Sequence, residues 1–230
     1  MSQESQANTQ QLIDQLRRIP FLNGLNLQAL TAMAQSAVRR HYAAGEIIFL
    51  DNEPSAGLYV LQSGWVKVVK LSTEGREQIL RFIGPNEAFN ELGILANRPT
   101  PATAIALEPS EVWLVPRATL AQLLSEHPEF AQLLLENMAD RVTYLVGLVA
   151  DLSLRPVISR LAQLLLADAQ GDVLPRPQWY TQAQLAARLG TVPDVVQRAL
   201  SSLAADHIIE VERHEIRILD RSALEIIASP

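Results

Sequence analysis

The chain has 230 residues, 48% of them apolar, no cysteine and a formal net charge of −6. Its length and apolar content suffice for two compact units with real cores. The missing cysteine excludes disulfides, thiolate catalysis and cysteine-ligated iron–sulfur clusters, and the acidic balance argues against indiscriminate nucleic-acid binding.

The polar start, MSQESQANTQQ, lacks the charged and apolar regions of a signal peptide, and no apolar run is long enough to span a bilayer. A cytoplasmic protein with no membrane partner is expected. Leu12 to Met33 reads as short helices around a turn at Pro20–Gly24. From Val38 to about Pro116 the pattern changes to short β-rich runs, GEIIFLD, GLYVLQSG, WVKVVKL and EQILRFIG, punctuated by glycine and proline. That spacing predicts a small sandwich or rolled barrel.

Helical patterning returns over Arg117–Glu126, and a long helix begins at Pro128, with proline in its first turn. Within it Leu135, Met138, Val142, Leu145, Val149 and Leu152 recur at alternating spacings of three and four, the seam of a coiled coil. A single core helix could carry the same stripe. An exposed helix of about 37 Å between two domains would not leave such a seam unpaired, so a parallel dimer is expected. Leu154-Arg155-Pro156 reads as a hinge, because the residue before proline is pushed out of the helical region. A second amphipathic helix, Val157 to Ala169, turns Ile158, Leu161, Leu164 and Leu165 inward.

After the loop GDVLPRPQWY come two short helical patterns joined at Gly190. Thr181 stands at an N-cap position with Gln184 three residues on, and Leu185, Ala186 and Leu189 share one face. The second helix opens on Thr191-Val192-Pro193-Asp194, read as another capping box. It carries an apolar stripe of Val192, Val196, Ala199, Leu200 and Leu203 opposite Asp194, Gln197, Arg198 and Ser201. Two short helices, a tight glycine turn and a polar outer face predict a helix-turn-helix, whose second helix reads the DNA major groove. A plain helical hairpin imitates the same pattern. Ile208–Val211 and Ile216–Leu219, flanking Glu212 to Glu215, read as a hairpin wing, and Arg221 to Ile227 as a last helical turn or two. Residues 153–230 hold eight Arg and no Lys against nine Asp plus Glu, so binding would rest on locally placed arginines and be salt-sensitive.

This order of elements resembles the Crp–Fnr superfamily of bacterial transcription regulators over nearly the whole chain. Gly45-Glu46-Ile47-Ile48-Phe49 and Gly57 to Gly64 look like its β-roll signature, Phe89-Asn90-Glu91-Leu92-Gly93 like the start of its nucleotide-binding cassette, and Leu185 to Arg198 like its DNA-reading motif. In cyclic-nucleotide-binding members the cassette runs Gly-Glu-Leu and then, about ten residues on, Arg-Ser/Thr-Ala. The glutamate takes the ribose hydroxyl, while the arginine and backbone amides take the cyclic phosphate. Here Glu91 and Leu92 are present, the glycine is Asn90, and the arginine and serine positions are Thr100 and Pro101. Arg98 is close enough to substitute, yet Pro101 offers no amide donor. The pocket therefore reads as degenerate for cyclic AMP. Haem sensing would require His41 or His127 as axial ligand and is given little weight. No other cofactor and no metal site is indicated.

By the same resemblance, Asp194 matches a glutamate that accepts from cytosine, and Arg198 an arginine that pairs with guanine O6 and N7. Gln197 could reach adenine or a phosphate. Thr181, Thr191, Ser201 and Arg188 would position the helix through phosphates, with Arg213 in the wing a weaker candidate. The expected fold class is α+β: an N-terminal β-roll (a jelly-roll-like double-stranded β-helix) with flanking helices over residues 1–126, a long dimerisation helix over 127–153, and a winged helix-turn-helix over 154–230. The expected function is a homodimeric, sequence-specific transcription regulator reading a palindromic operator on double-stranded DNA. Its β-roll would be coupled to the DNA-binding domains without dependence on cyclic AMP, and the family implies contact with RNA polymerase. The alternative is a cyclic-nucleotide-binding-like interaction module with a vestigial DNA-binding domain. No nucleophile elbow, phosphate loop or clustered metal ligands points to an enzyme.

Overall fold

A computed structural model describes residues 3–95 and 98–229. The chain forms two compact units. One comprises residues up to Leu71 and Leu80 to Thr143, the other Ser72 to Ile79 and the chain from Tyr144 onward.

The first unit opens on helix α1 (Gln3–Leu16), a 3-10 turn at Pro20–Leu22 and α2 (Leu27–Ser36). Asn26 caps α2 by accepting from the Ala29 amide at 2.9 Å. Helix α1 begins nine residues before the apolar pattern that predicts it. Gln6, Ala7 and Gln10 are exposed, and burial starts at Leu12. Eight strands follow: β1 (Val38–Tyr42), β2 (Ile47–Phe49), β3 (Gly57–Ser63), β4 (Val66–Leu71), β5 (Glu77–Ile83), β6 (Ala88–Phe89), β7 (Thr103–Ala106) and β8 (Ser110–Pro116). A four-residue helix, α3 (Leu92–Leu95), interrupts them. They form two antiparallel sheets, ordered β1-β8-β3-β6 and β2-β7-β4-β5.

Strand β3 is buried without alternation from Gly57 to Leu61, because both its faces are covered. Leu58 and Val60 join Trp113 and Val115 of β8 in a core beneath the helices, where Leu12, Leu16, Leu30 and Met33 pack. Tyr59 and Leu61 face the interior of the roll with Val112, Leu114, Phe89 and Ala104. The rings of Phe49, Tyr59 and Phe89 lie 5.2 to 6.1 Å apart there, and burial raises the Tyr59 hydroxyl to about 12. Helix α4 (Arg117–Glu126) and the start of α5 (Pro128–Leu154) close the helical core with Leu120, Leu123, Phe130 and Leu134.

In the second unit, α6 (Val157–Asp168) precedes β9 (Val173–Pro175), α7 (Gln182–Leu189), α8 (Pro193–Ala205), β10 (Ile209–Val211), β11 (Glu215–Ile218) and α9 (Arg221–Ala228). Its core joins Leu161, Leu165, Leu185, Val196, Leu200, Leu203, Ile216 and Leu224. The wing is a three-stranded sheet, β10-β11-β9, with Ile209 opposite Ile218 and Ile216 opposite Leu174. Its third strand lies inside the stretch read as loop, three residues between a glycine turn and Pro177.

Helix α7 is capped by Thr181, whose Oγ1 accepts from the Gln184 amide at 3.3 Å. It ends at Gly190, in the left-handed region at φ 63°. A Cβ there would stand 2.6 Å from Leu152 Cδ2, so glycine serves both the turn and the close approach. The second box is corrected. Thr191 does not cap α8; Val192 occupies that position in extended conformation without a side-chain bond, and it is exposed rather than part of the apolar stripe. The cause is Pro193 at the first helical position, which pushes Val192 out of the helical region.

Candidate nucleic-acid interface and effector pocket

Helix α8 buries Val196, Ala199, Leu200 and Leu203 and turns Asp194, Gln197, Arg198 and Ser201 to solvent. Arg198 holds only a long contact, Nε to the Asp194 carbonyl at 3.4 Å, which leaves the rest of its guanidinium outward. Gln197 is more committed. Its carbonyl accepts from Gln182 at the head of α7, and its amide donates to Ser201 Oγ at 3.2 Å. Thr181 is exposed and Thr191 half-buried. Arg213 and His214 stand exposed in the turn between β10 and β11, while Arg217 beside them is drawn to Glu210, Glu212 and Glu215.

Arg188 departs from the expected phosphate-facing set. It binds Asp168 at the end of α6 in bidentate fashion, with Nη2 to Oδ1 at 3.0 Å. Burial opposes its charge, but the hydrogen bond and charge of Asp168 outweigh that and raise its pKa. Tyr180 donates to Asp168 Oδ2 at 3.2 Å, and burial pushes its pKa far up. This is a brace between α6 and α7. Asp168 and Tyr180 escaped the sequence reading because they lie outside the helical spacing of the motif, one at the end of α6 and the other at the end of the loop before Thr181.

In the β-roll, Asn90 sits at φ 69°, a conformation for which glycine is the usual residue. Asn90 Nδ2 donates to Ser55 Oγ and to the Gly57 carbonyl, both at 2.9 Å, so the replacement knits the turn to β3. Glu91 is buried, and Arg81 Nη1 on β5 lies 3.6 Å from its carboxylate. The same guanidinium reaches Glu87 at 3.0 Å. Sequence reading missed Arg81; the available signal was an arginine inside a β-rich run.

Thr100 is buried, with its donors already used. Its hydroxyl donates to the Leu50 carbonyl at 2.6 Å and its amide to the Glu53 carbonyl at 2.8 Å. Pro101 has no amide to give. Arg98 and Leu92 are exposed. His127 Nδ1 stands 3.0 Å from Glu129 and 3.3 Å from Asn26, while His41 is exposed beside Glu111.

On α5, Leu135, Val142, Leu145 and Val149 are exposed, and Met138 and Leu152 are half-buried. Among the described residues, no helix is long and apolar enough to cross a membrane, and no group of His, Asp and Glu could hold a metal ion.

A β-roll, a long helix and a winged helix-turn-helix in one chain define a class of DNA-binding regulators. The cyclic nucleotide-binding domain family matches residues 39–127 and the Crp-like helix-turn-helix domain family residues 159–227, together more than half the chain. The CRP-like cAMP-activated global transcriptional regulator of Mycobacterium tuberculosis is 28% identical over 215 residues, covering 91% of this chain and 96% of that protein. The Cyclic AMP receptor protein of Thermus thermophilus is 27% identical over 209 residues, with the same coverage. The solved structure of FixK2 from Bradyrhizobium japonicum superposes with a TM-score of 0.76 at 24% identity, covering 84% of this chain and 98% of that one. The chain belongs to the Crp–Fnr family and is a Crp-like transcription regulator with a helix-turn-helix DNA-binding domain.

Proposed function

We propose that the protein acts as a homodimer, joined along the Leu135–Leu152 seam of α5, that reads an imperfect palindrome and does so without cyclic AMP. The exposed apolar seam carries this reading. Leu135, Val142, Leu145 and Val149 lie on one face and are all open to solvent in the single chain. Pairing along that face would relate two copies of α8 by a two-fold axis and place half-sites about 34 Å apart. Arg198 is the proposed base reader, with Asp194 and Gln197 beside it and Thr181 and Ser201 toward phosphates. Contact with RNA polymerase would follow the family pattern.

Independence from cyclic AMP rests on the cassette. Thr100 spends its hydroxyl and amide on the β2–β3 loop, and Pro101 lacks a donor, where a cyclic phosphate needs an arginine and free amides. Glu91 already has Arg81 beside it.

The test is selection of binding sites from random duplexes by purified protein, with and without cyclic AMP. Enrichment of one palindrome in both conditions is expected. Enrichment only with the nucleotide would overturn the cassette argument, and a non-palindromic half-site would overturn the dimer.

A further inference from the structure

Only Arg155 and Pro156 separate α5 from α6, and Pro156, in extended conformation, prevents the two from running on as one helix. Rotation about those few bonds would swing everything after them. One restraint on that junction, beside the approach of Gly190 to Leu152, is the side chain of Arg155, four-fifths buried.

Its Nε pairs with Asp151 Oδ1 on the last turn of α5 at 2.8 Å, and its Nη1 donates to the Ala228 carbonyl at 2.7 Å. Ala228 is the last residue of α9, 73 positions downstream. Both helices end without a basic residue in their own last turn. The final carbonyls of a helix have no intrahelical donors and carry the negative end of its dipole. One guanidinium therefore joins a carboxylate on the last turn of α5 to the terminal carbonyl of α9. Only a planar fork with donors on two edges can do so; a lysine offers a single point charge. Helix α9 in turn packs along α6, so its end is a firm anchor for the unit.

We propose that Arg155 is a positioning residue for DNA recognition. It latches the C-terminus of α9 to the last turn of α5 and so holds the winged helix-turn-helix in one posture on the helix that carries the seam. This rests on the dimeric reading above. Its consequence is that Arg155, which lies apart from the exposed face of α8, sets the half-site spacing the protein accepts and leaves the bases read within each half-site unchanged.

The experiment measures binding to a series of duplexes in which two identical half-sites are separated by the selected spacing and by one or two base pairs more or fewer. For the wild type, affinity should fall by about tenfold at two base pairs from the optimum. In Arg155→Ala the same shift should cost no more than about threefold, with base preference unchanged and Arg155→Lys only partly restoring selectivity. Equal spacing selectivity in Arg155→Ala and wild type would overturn the proposal.

Hydrogen exchange on the full chain tests the latch apart from DNA. Arg155→Ala should expose the amides of residues 151–155 and 226–229 together, by about tenfold in rate, while α7 and α8 keep their protection. Unchanged exchange at either end would sink the latch even if no palindrome is selected. Failure to select a palindrome with joint deprotection intact would instead fault the dimeric reading. Should Arg155→Ala not fold, Arg155→Gln, which retains donors but loses the charge, serves in both measurements.

Discussion

Arg198 stands four residues after Asp194 with most of its guanidinium uncommitted, on the face of α8 opposite Val196, Ala199 and Leu203. Replacing it with alanine should cost about 1–3 kcal/mol per half-site and relax preference at one base pair. Competition binding against operators substituted one base at a time measures this, and an unchanged preference refutes the assignment. Arg188, ten residues earlier, behaves differently. Its alanine variant would strand Asp168 and Tyr180 in a partly buried site, with an expected loss of about 1–3 kcal/mol in stability. Thermal unfolding should register that loss, while base preference in the folded protein stays as it was. A phosphate contact would give the reverse, unchanged stability and uniformly weaker binding. Spacing along α7 places Arg188 near the outer face, but nothing in the local sequence reveals Asp168 twenty residues upstream. Pair geometry of this range is set by tertiary packing, which is why single-residue roles were less legible than the face they lie on.

At the scale of elements, legibility followed how one-sided the burial is. Helix α8 has a clean buried stripe and was readable, whereas β3 buries both faces and shows no alternation. The polar start of α1 and the three-residue β9 carry too few apolar positions to announce themselves. The cap of α8 was misread because Thr191 fits the box pattern while Pro193 decides where the helix begins. The seam yields a prediction of its own. Val149 is 64% exposed in the single chain, so Val149→Glu places a charge on a surface that tolerates it in the monomer but is desolvated in a parallel pair. The variant should sediment as a monomer with unchanged circular dichroism, and it should lose most affinity for a two-half-site operator. Retention of the dimer by Val149→Glu together with Leu145→Glu would place the interface elsewhere.

For the whole molecule, domain order was readable because two independent motifs stand in sequence, a roll signature before Gly64 and a reading helix near Arg198. The identity of a signal was not, since it depends on a few donors rather than on a pattern. Relatives whose names refer to cyclic AMP match this chain along 91% of its length. An overall identity of 27 to 28%, however, says little about the donors at Thr100 and Pro101. The physical argument is local. A phosphate entering beside Thr100 would have to break the hydroxyl and amide bonds to Leu50 and Glu53, at 2.6 and 2.8 Å, and would find no donor at Pro101. Each buried bond broken without replacement costs about 1–3 kcal/mol, comparable with what a new phosphate contact returns. Thermal unfolding in the presence of cyclic AMP weighs these directly. A ligand present at a hundred times its dissociation constant raises stability by about 2.7 kcal/mol, so a working site titrated to millimolar nucleotide shifts the midpoint by several degrees. No shift is expected here, with 5′-AMP giving the same flat response. A saturable rise with cyclic AMP alone would mean that the loop from Leu50 to Glu53 yields to the nucleotide and that Arg81 hands Glu91 to the ribose.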